Sequence, residues 1–270
     1  MSKAASDPRA FFEYRDGLFW PGEAARGTWA AGTVSGRLIP GLATHALERE
    51  QAGDGLQLGR LTVDLFRAVP FEALAVSTRV VRKGGRIRVV DVEVAAGSEL
   101  VSRTVAVYLR PSQSPAGAIW HGPRWERSAP DPDSPNPRLT RSSSTDVRLS
   151  GERTADPGVQ RGGAWTRERL ALVADVETSP LVRAALAADL ASPITNHSVN
   201  GLSFINTDVT LQLVREPVGE FFGVLASDHY DAAGVSAGQA VMHDRYGILG
   251  FCAVTALANP GKLRDYTTPA

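Results

Sequence analysis

One cysteine, Cys252, stands in a chain of 270 residues, which excludes an intramolecular disulfide and any metal site built from several thiolates. It lies in the apolar run GILGFCAVTALA, so it reads as a small buried hydrophobe and not as a nucleophile. His45, His121, His197, His229 and His243 show no HxH or HExxH spacing, so no metal is expected. An excess of charge is also missing: 29 Lys and Arg face 29 Asp and Glu. That balance removes any global electrostatic argument for nucleic acid or an anionic membrane as partner. No run approaches the ~20 apolar residues of a membrane-spanning helix. The opening MSKAASDPRAFFEY has no apolar core of signal-peptide length. A cytoplasmic protein with no cofactor is the expectation.

What is present is enough apolar material, 43% of residues, for one large or two ordinary domains. FFEYRDGLFW sets two aromatic runs about Asp16-Gly17, a hairpin signal. TVSGRLIPGLATHALEREQAGDG then reads as a helix, with Leu38, Leu42, Ala46 and Arg49 spaced by three and four. Ser35 or Thr33 can cap it, Pro40 falls in the first turn, and Gly53-Asp54-Gly55 ends it. Four alternating or Val-rich stretches follow as strands, at 60–68, 73–83, 87–95 and 100–109. One helix before a four-strand meander predicts an α+β unit, a helix lying on an antiparallel sheet. From 111 to 163 the composition turns to Pro, Ser, Gly and Arg, a linker composition. Trp120 and Trp125 are expected to pin part of it to a folded surface, leaving 131–145 mobile. The pattern then recurs. SPLVRAALAADL reads as a helix with Ser179 as cap and Pro180 at its first position, followed by a loop, ASPITNHSVNG. Strands follow at 203–220, 220–227, 235–243 and 248–258.

The stretch SFINTDVTLQLVREPVGE, residues 203–220, reads as one buried strand stopped by Pro217 and Gly219. Asp208 stands inside it, where a carboxylate is costly to bury without a partner. RLTVDLFRAVP (60–70) lines up with DVTLQLVREPV (208–218), Arg67 on Arg215, Arg60 on Asp208 and Asp64 on Gln212. Repeats of this length are duplicated domains. The predicted organisation is therefore a first unit over 1–110, a linker over 111–163 and a second unit over 164–270. The polar difference between the halves favours a site specialised in one of them.

The helix, loop and strand of SPLVRAALAADLASPITNHSVNGLSFINTDVTLQLVREPVGEFF resemble the double-hotdog acyl-CoA thioesterases, the type II group and their actinobacterial thioesterase-like relatives. Asp208, Arg215 and Pro217 match that family's pattern, and RLTVDLFRAVP with the VSGRLIPGLATHALER helix fits its first half. The resemblance implies two tandem hotdog domains, each a central helix wrapped by antiparallel sheet, packed as a pseudo-dimer. It implies hydrolysis of an acyl-CoA or other acyl thioester and leaves room for a homo-oligomer. It also implies a water held by an Asp, a Gln and a Thr or Ser. The Asp carries over to Asp208, and Thr255 stands at the place of the Gln. Gln212 and Gln239 do not align, and the hydroxyl position falls in SDHYDAAG, with Ser227 and Tyr230 both open.

A thioester carbonyl needs an activated water and a place for its oxyanion. A carboxylate with a burial-raised pKa serves the first, and free N–H groups at a helix start serve the second. Asp208 is the candidate base, and Thr210 and Thr255 are the candidates to orient the water. Ser35, Gly36 and Arg37, at the start of the first helix, are the candidate oxyanion and substrate contacts. Asn196 either orients Asp208 or contacts substrate, or simply bonds its own loop. Arg82, Lys83, Arg86 and Arg88 form a basic hairpin, either a solvated edge or a seat for the phosphates of coenzyme A. His45 faces core or cleft. Two other readings stand beside hydrolysis: a non-catalytic acyl-thioester binding protein, and a hotdog hydratase.

Overall fold

Asp16 and Gly17 both take positive φ, 53° and 79°, and so close the hairpin of β1 (Ala10–Arg15) and β2 (Leu18–Pro21). The computed structural model describes residues 10–51, 55–121, 140–141, 145–153, 160–198 and 200–259. Helix α1 (Leu38–Gln51) follows the hairpin. Pro40 lies in its first turn as expected, and the Leu38 N–H bonds the main-chain carbonyl of Ser35. Thr33 instead donates its hydroxyl to Ala30. The Gly53-Asp54 stop lies outside the described residues. Strands β3 (Gln57–Leu65), β4 (Leu74–Lys83), β5 (Ile87–Ala96) and β6 (Glu99–Leu109) appear close to where alternation puts them.

The second half differs more from expectation. Strands β7 (Thr140–Arg141), β8 (Thr145–Arg153) and the start of β9 (Gln160–Glu168) fall within the stretch read as linker. Trp120 is 88% exposed and pins nothing, and Trp125 lies outside the described residues. After β10 (Ala171–Val173), helix α2 (Pro180–Ala188) starts as predicted: Ser179 Oγ accepts from the Val182 N–H, and Pro180 takes the first position. The stretch read as a loop folds into α3 (Ala191–Asn196) and the small hairpin of β11 (His197–Ser198) and β12 (Gly201–Leu202). The reason is burial: Ala191, Ser192, Thr195 and Asn196 are all covered, and a buried backbone closes its own hydrogen bonds. The single strand expected over 203–220 breaks at Thr207 into β13 (Phe204–Asn206) and β14 (Asp208–Leu213). Strands β15 (Phe222–Ala232), β16 (Val235–Asp244) and β17 (Gly247–Ala258) complete the chain's regular structure.

One continuous sheet runs in the order β10-β1-β2-β4-β5-β6-β3-β14-β17-β16-β15-β9-β8-β7, with β13 also on β17. The halves join where β3 and β14 pair antiparallel, Asp208 opposite Asp64, Thr210 opposite Thr62 and Gln212 opposite Arg60. At the far edge β10, from the second half, pairs in parallel with β1. Helices α1 and α2 pack on each other against one face of this sheet. Leu38, Ile39, Leu42, Ala43 and Leu47 of α1 are fully buried, as are Ala184, Ala185 and Leu186 of α2. A side chain at Gly41 would come 2.6 Å from Leu186 Cδ2, so this glycine permits the close helix approach. From the sheet, Val63, Leu74, Val90, Val92, Val94, Leu211, Val224 and Cys252 meet the helices.

Candidate active site

Asp208 opens β14 at a slip in the ladder. Asn206 pairs with Ala256 and Thr210 with Ala253, so Thr207 and Asp208 together face Thr255 alone. This is a bulge, which bends a strand and re-aims a side chain. The Thr207 N–H bonds the Thr255 carbonyl at 2.8 Å. The Thr255 N–H, which a regular ladder would give to a backbone carbonyl, goes to Asp208 Oδ1 at 2.6 Å. The Thr255 hydroxyl donates to Oδ2 at 3.3 Å. Burial pushes the Asp208 carboxyl above its ordinary value, the two Thr255 bonds pull against this, and the charge of Asp64 across the seam adds to the rise. Each carboxylate oxygen has a second lone pair beyond the one Thr255 engages.

The face that Asp208 occupies follows from alternation. Val209, Leu211 and Leu213 are buried toward the helices, so Asp208, Thr210 and Gln212 point to the opposite side. Thr255, between buried Val254 and Ala256, shares that outer side. Gly36 lies on the helix side, where a Cβ would be 4.0 Å from Leu65 Cδ1. Ser35 is held there by its N–H on the Ala25 carbonyl, 2.8 Å. The structure thus brings Asp208 and Thr255 together and leaves Ser35 and Gly36 across the sheet from them.

A second polar group occupies the helix side. Arg37 pairs with the buried Glu168 at 2.6 Å and stacks over Phe11. Its charge also acts on Asp189, at the end of α2. Burial raises the Asp189 carboxyl, and a bond from Asn206 Nδ2 at 2.9 Å, with Arg37, opposes the rise. The same Asn206 amide donates to the main-chain carbonyl of Asp208 at 3.2 Å. Asp189 and Asn206 are absent from the sequence-based candidates. The available signal was an acidic residue at a helix C-terminus, where the dipole favours a cation.

Two family models cover most of the chain: the acyl-CoA thioesterase N-terminal domain over residues 25–109 and the acyl-CoA thioesterase C-terminal domain over 122–257. The chain belongs to the acyl-CoA thioesterase family. No curated protein matches it. Among solved structures it is similar to the tesB protein of Mycobacterium avium subspecies paratuberculosis, at 15% identity over 92% of this chain and 96% of that one, TM-score 0.64. It is also similar to the acyl-CoA thioesterase II TesB2 of Mycobacterium marinum, at 14% identity over 97% and 98%, TM-score 0.63. A conserved protein of unknown function with hot dog fold from Alicyclobacillus acidocaldarius gives 15% identity over 96% and 98%, TM-score 0.65. At such identities these likenesses show the fold, which is the hotdog fold.

The remaining residues proposed for a thioesterase site are placed as follows. Thr210 donates to Thr62 across the seam at 3.4 Å and does not bond Asp208. Asn196 is buried: its amide donates to the Ser192 carbonyl at 3.0 Å, and its oxygen accepts from Ser236 at 2.7 Å. It closes α3 onto β16. Gln212 lies opposite Arg60 and Gln239 opposite Ala253, and neither bonds Asp208. Ser227 falls at a register shift in β15, whereas Tyr230 shares a ladder row with Ala237 and Thr255. Within the basic hairpin, Arg82, Lys83 and Arg86 are exposed but Arg88 is buried on the helix side. There it stands beside Tyr108, and its charge acts on that phenol together with that of Glu48. His45 is half-buried with its ring edge-on to Phe19 at 6.0 Å, and burial first, then Arg49, lowers its pKa.

Proposed function

We propose that this thioesterase-family protein hydrolyses fatty acyl thioesters, acyl-CoA among them, with Asp208 as general base. The observation that carries the reading is the Asp208 carboxylate, clamped by the Thr255 N–H and hydroxyl with its pKa raised by burial. A carboxylate nearer neutrality is a better base for water than an ordinary one. Asp208 takes a proton from the water as its oxygen adds to the thioester carbon. When the tetrahedral intermediate collapses, the C–S bond breaks and the same carboxyl returns the proton to the departing thiolate. Leu257 and Val235 pair two rows beyond Thr255, on the same face, and are exposed, as is Tyr230; together they supply apolar surface for an acyl chain beside the base. The duplicated strands support two tandem hotdog units packed as a pseudo-dimer. In the internal alignment Thr62 matches Thr210, and the structure pairs these two residues with each other, the arrangement a twofold axis through that pair produces. In this reading the second unit's sheet begins at β7. No helix among the described residues is long and apolar enough to cross a membrane.

The test is a hydrolysis assay across acyl-CoA chain lengths with wild type and Asp208→Asn, which is nearly isosteric. The variant is expected to keep acyl-CoA binding and to lose about a hundred- to ten-thousandfold in kcat, the range for general-base help. Unchanged turnover removes Asp208 from the mechanism. Wild-type protein that binds acyl-CoA and never releases free thiol establishes the binding-protein reading, and hydration of an enoyl-CoA establishes the hydratase reading.

A further inference from the structure

We propose that Asn206 and Asp189 are a positioning pair that holds Asp208 in its working orientation through the bulge at Thr207; the inference rests on Asp208 being the base. The bulge is what frees the Thr255 N–H for the carboxylate. Because that N–H is used by a side chain, β17 leaves the main-chain carbonyl of Asp208 to another donor, and the Asn206 amide supplies it at 3.2 Å. The second N–H of that amide goes to Asp189 Oδ1 at 2.9 Å. A planar amide with both hydrogens committed has one orientation. Asp189 Oδ1 accepts from this amide, so it turns the NH2 end, and not the oxygen, toward the strand. Without it the amide is free to flip, and its oxygen would then oppose the Asp208 carbonyl. The bulge would lose the bond that distinguishes it from a regular ladder, in which Thr255 N–H meets a backbone carbonyl.

Asp189 is itself fixed from several sides. It ends α2, whose Ala184, Ala185, Ala187 and Ala188 are buried. Arg37 faces it from the start of α1, and Cys252 faces it from β17, its thiol pushed up by burial and by the Asp189 charge. Glu168 of β9 occupies Arg37 at 2.6 Å, and Arg183 of α2 donates to the Glu168 carbonyl at 2.6 Å. On the outer side the charged neighbour of Asp208 is Asp64. A half-buried carboxylate is costly without compensation, so its use at a helix end calls for a gain elsewhere. Here the gain is a brace that crosses the sheet, from the helix layer through Asn206 to the strand carrying the base.

The experiment uses the full chain and acyl-CoA hydrolysis, with Asn206→Leu, Asp189→Leu and Asp189→Asn. Asn206→Leu is expected to lower kcat about ten- to a hundredfold with KM within about twofold, the scale for partners that orient a working group from behind. It is also expected to shift the acidic limb of the pH–rate profile. Asp189→Leu should behave alike, and Asp189→Asn, which keeps an acceptor for Asn206, should recover most of that loss. Combined with Asp208→Asn, Asn206→Leu should cost nothing further, because its effect runs through Asp208. An additive loss in the double variant, or an unshifted profile in Asn206→Leu, overturns the pair. The Asp208 carboxyl titration, followed by carbon NMR in wild type and Asn206→Leu, decides the matter without turnover. A displaced titration supports the pair even if the protein hydrolyses nothing, and an identical one overturns it. The same titration in the two Asp189 variants answers for Asn206→Leu should that variant not fold.

Discussion

Arg215 and Asp244 show how a single residue's role depends on a partner that its own neighbourhood does not reveal. Arg215 stands where the alignment puts it, two residues before Pro217. Its guanidinium binds Asp244 through two bonds of 2.7 Å, and Asp244 also accepts the Val218 and Tyr246 N–H groups at 3.0 and 2.8 Å. The carboxylate is fully covered. Burial alone would raise its pKa, but Arg215 and the two N–H groups outweigh burial and hold it below the ordinary value. Arg215→Ala takes the cation away and opens that carboxylate to water, and is expected to cost about 1.5–3 kcal/mol, the scale of a lost hydrogen bond to a charged group. A carboxyl depressed in the fold stabilises it above the unfolded pKa and stops doing so as pH falls through the folded value. The gap between wild type and Arg215→Ala in urea unfolding should therefore be full at pH 7 and shrink once the pH is taken below the ordinary Asp value. An equal gap at both would mean that Arg215 acts through packing alone. Asp208 was readable as a carboxylate inside an apolar strand. Asp244, Asp189 and Asn206 were not, because their meaning comes from bonds made across the fold.

At the scale of elements, helices and strands with strong periodicity and caps formed as read, and those without did not. Ser179 and Pro180 start α2 as their chemistry dictates. Helix α3 has no such start signal. It packs closely on Gly238 of β16, where a Cβ would clash with Thr195 Oγ1 and come 2.6 Å from its Cβ. Thr195 bonds the Ala191 carbonyl at 2.7 Å, and Asn196 is tied to Ser236, so the helix is held against the strand with no room to retreat. Gly238→Ala is expected to destabilise the chain by about 1–3 kcal/mol, as overpacking does. Thermal unfolding reads this directly, and a wild-type melting temperature would show that α3 does not rest on Gly238. The break at Thr207 was invisible for a related reason. SFINTDVTLQLV has apolar or β-branched residues on both sides of the break, and only the slip against β17 shows that one residue of the run is unpaired.

The largest joints between the halves are three: β3 on β14, α1 on α2, and β10 on β1. Residues 160–270 alone would lose all three. Strand β14 would become an open edge, and Leu172, Val173, Ala184, Ala185 and Leu186 would lose their cover. An apolar, unpaired edge is an aggregation site. This fragment is expected to aggregate or to bind a hydrophobic dye strongly, and a soluble monomer with a cooperative melt would contradict it. The strands of the first half, the start of α2 and the family resemblance all came from the sequence by itself, because period and capping are local properties of a chain. Tertiary structure alone decided which face Asp208 occupies, that Ser35 and Gly36 lie across the sheet from it, that Arg88 turns inward, and that Asp189 reaches Asp208 through Asn206. The physical reason is register: side chains alternate with period two, so a slip of one residue reverses a face, and that slip is set by the strand alongside.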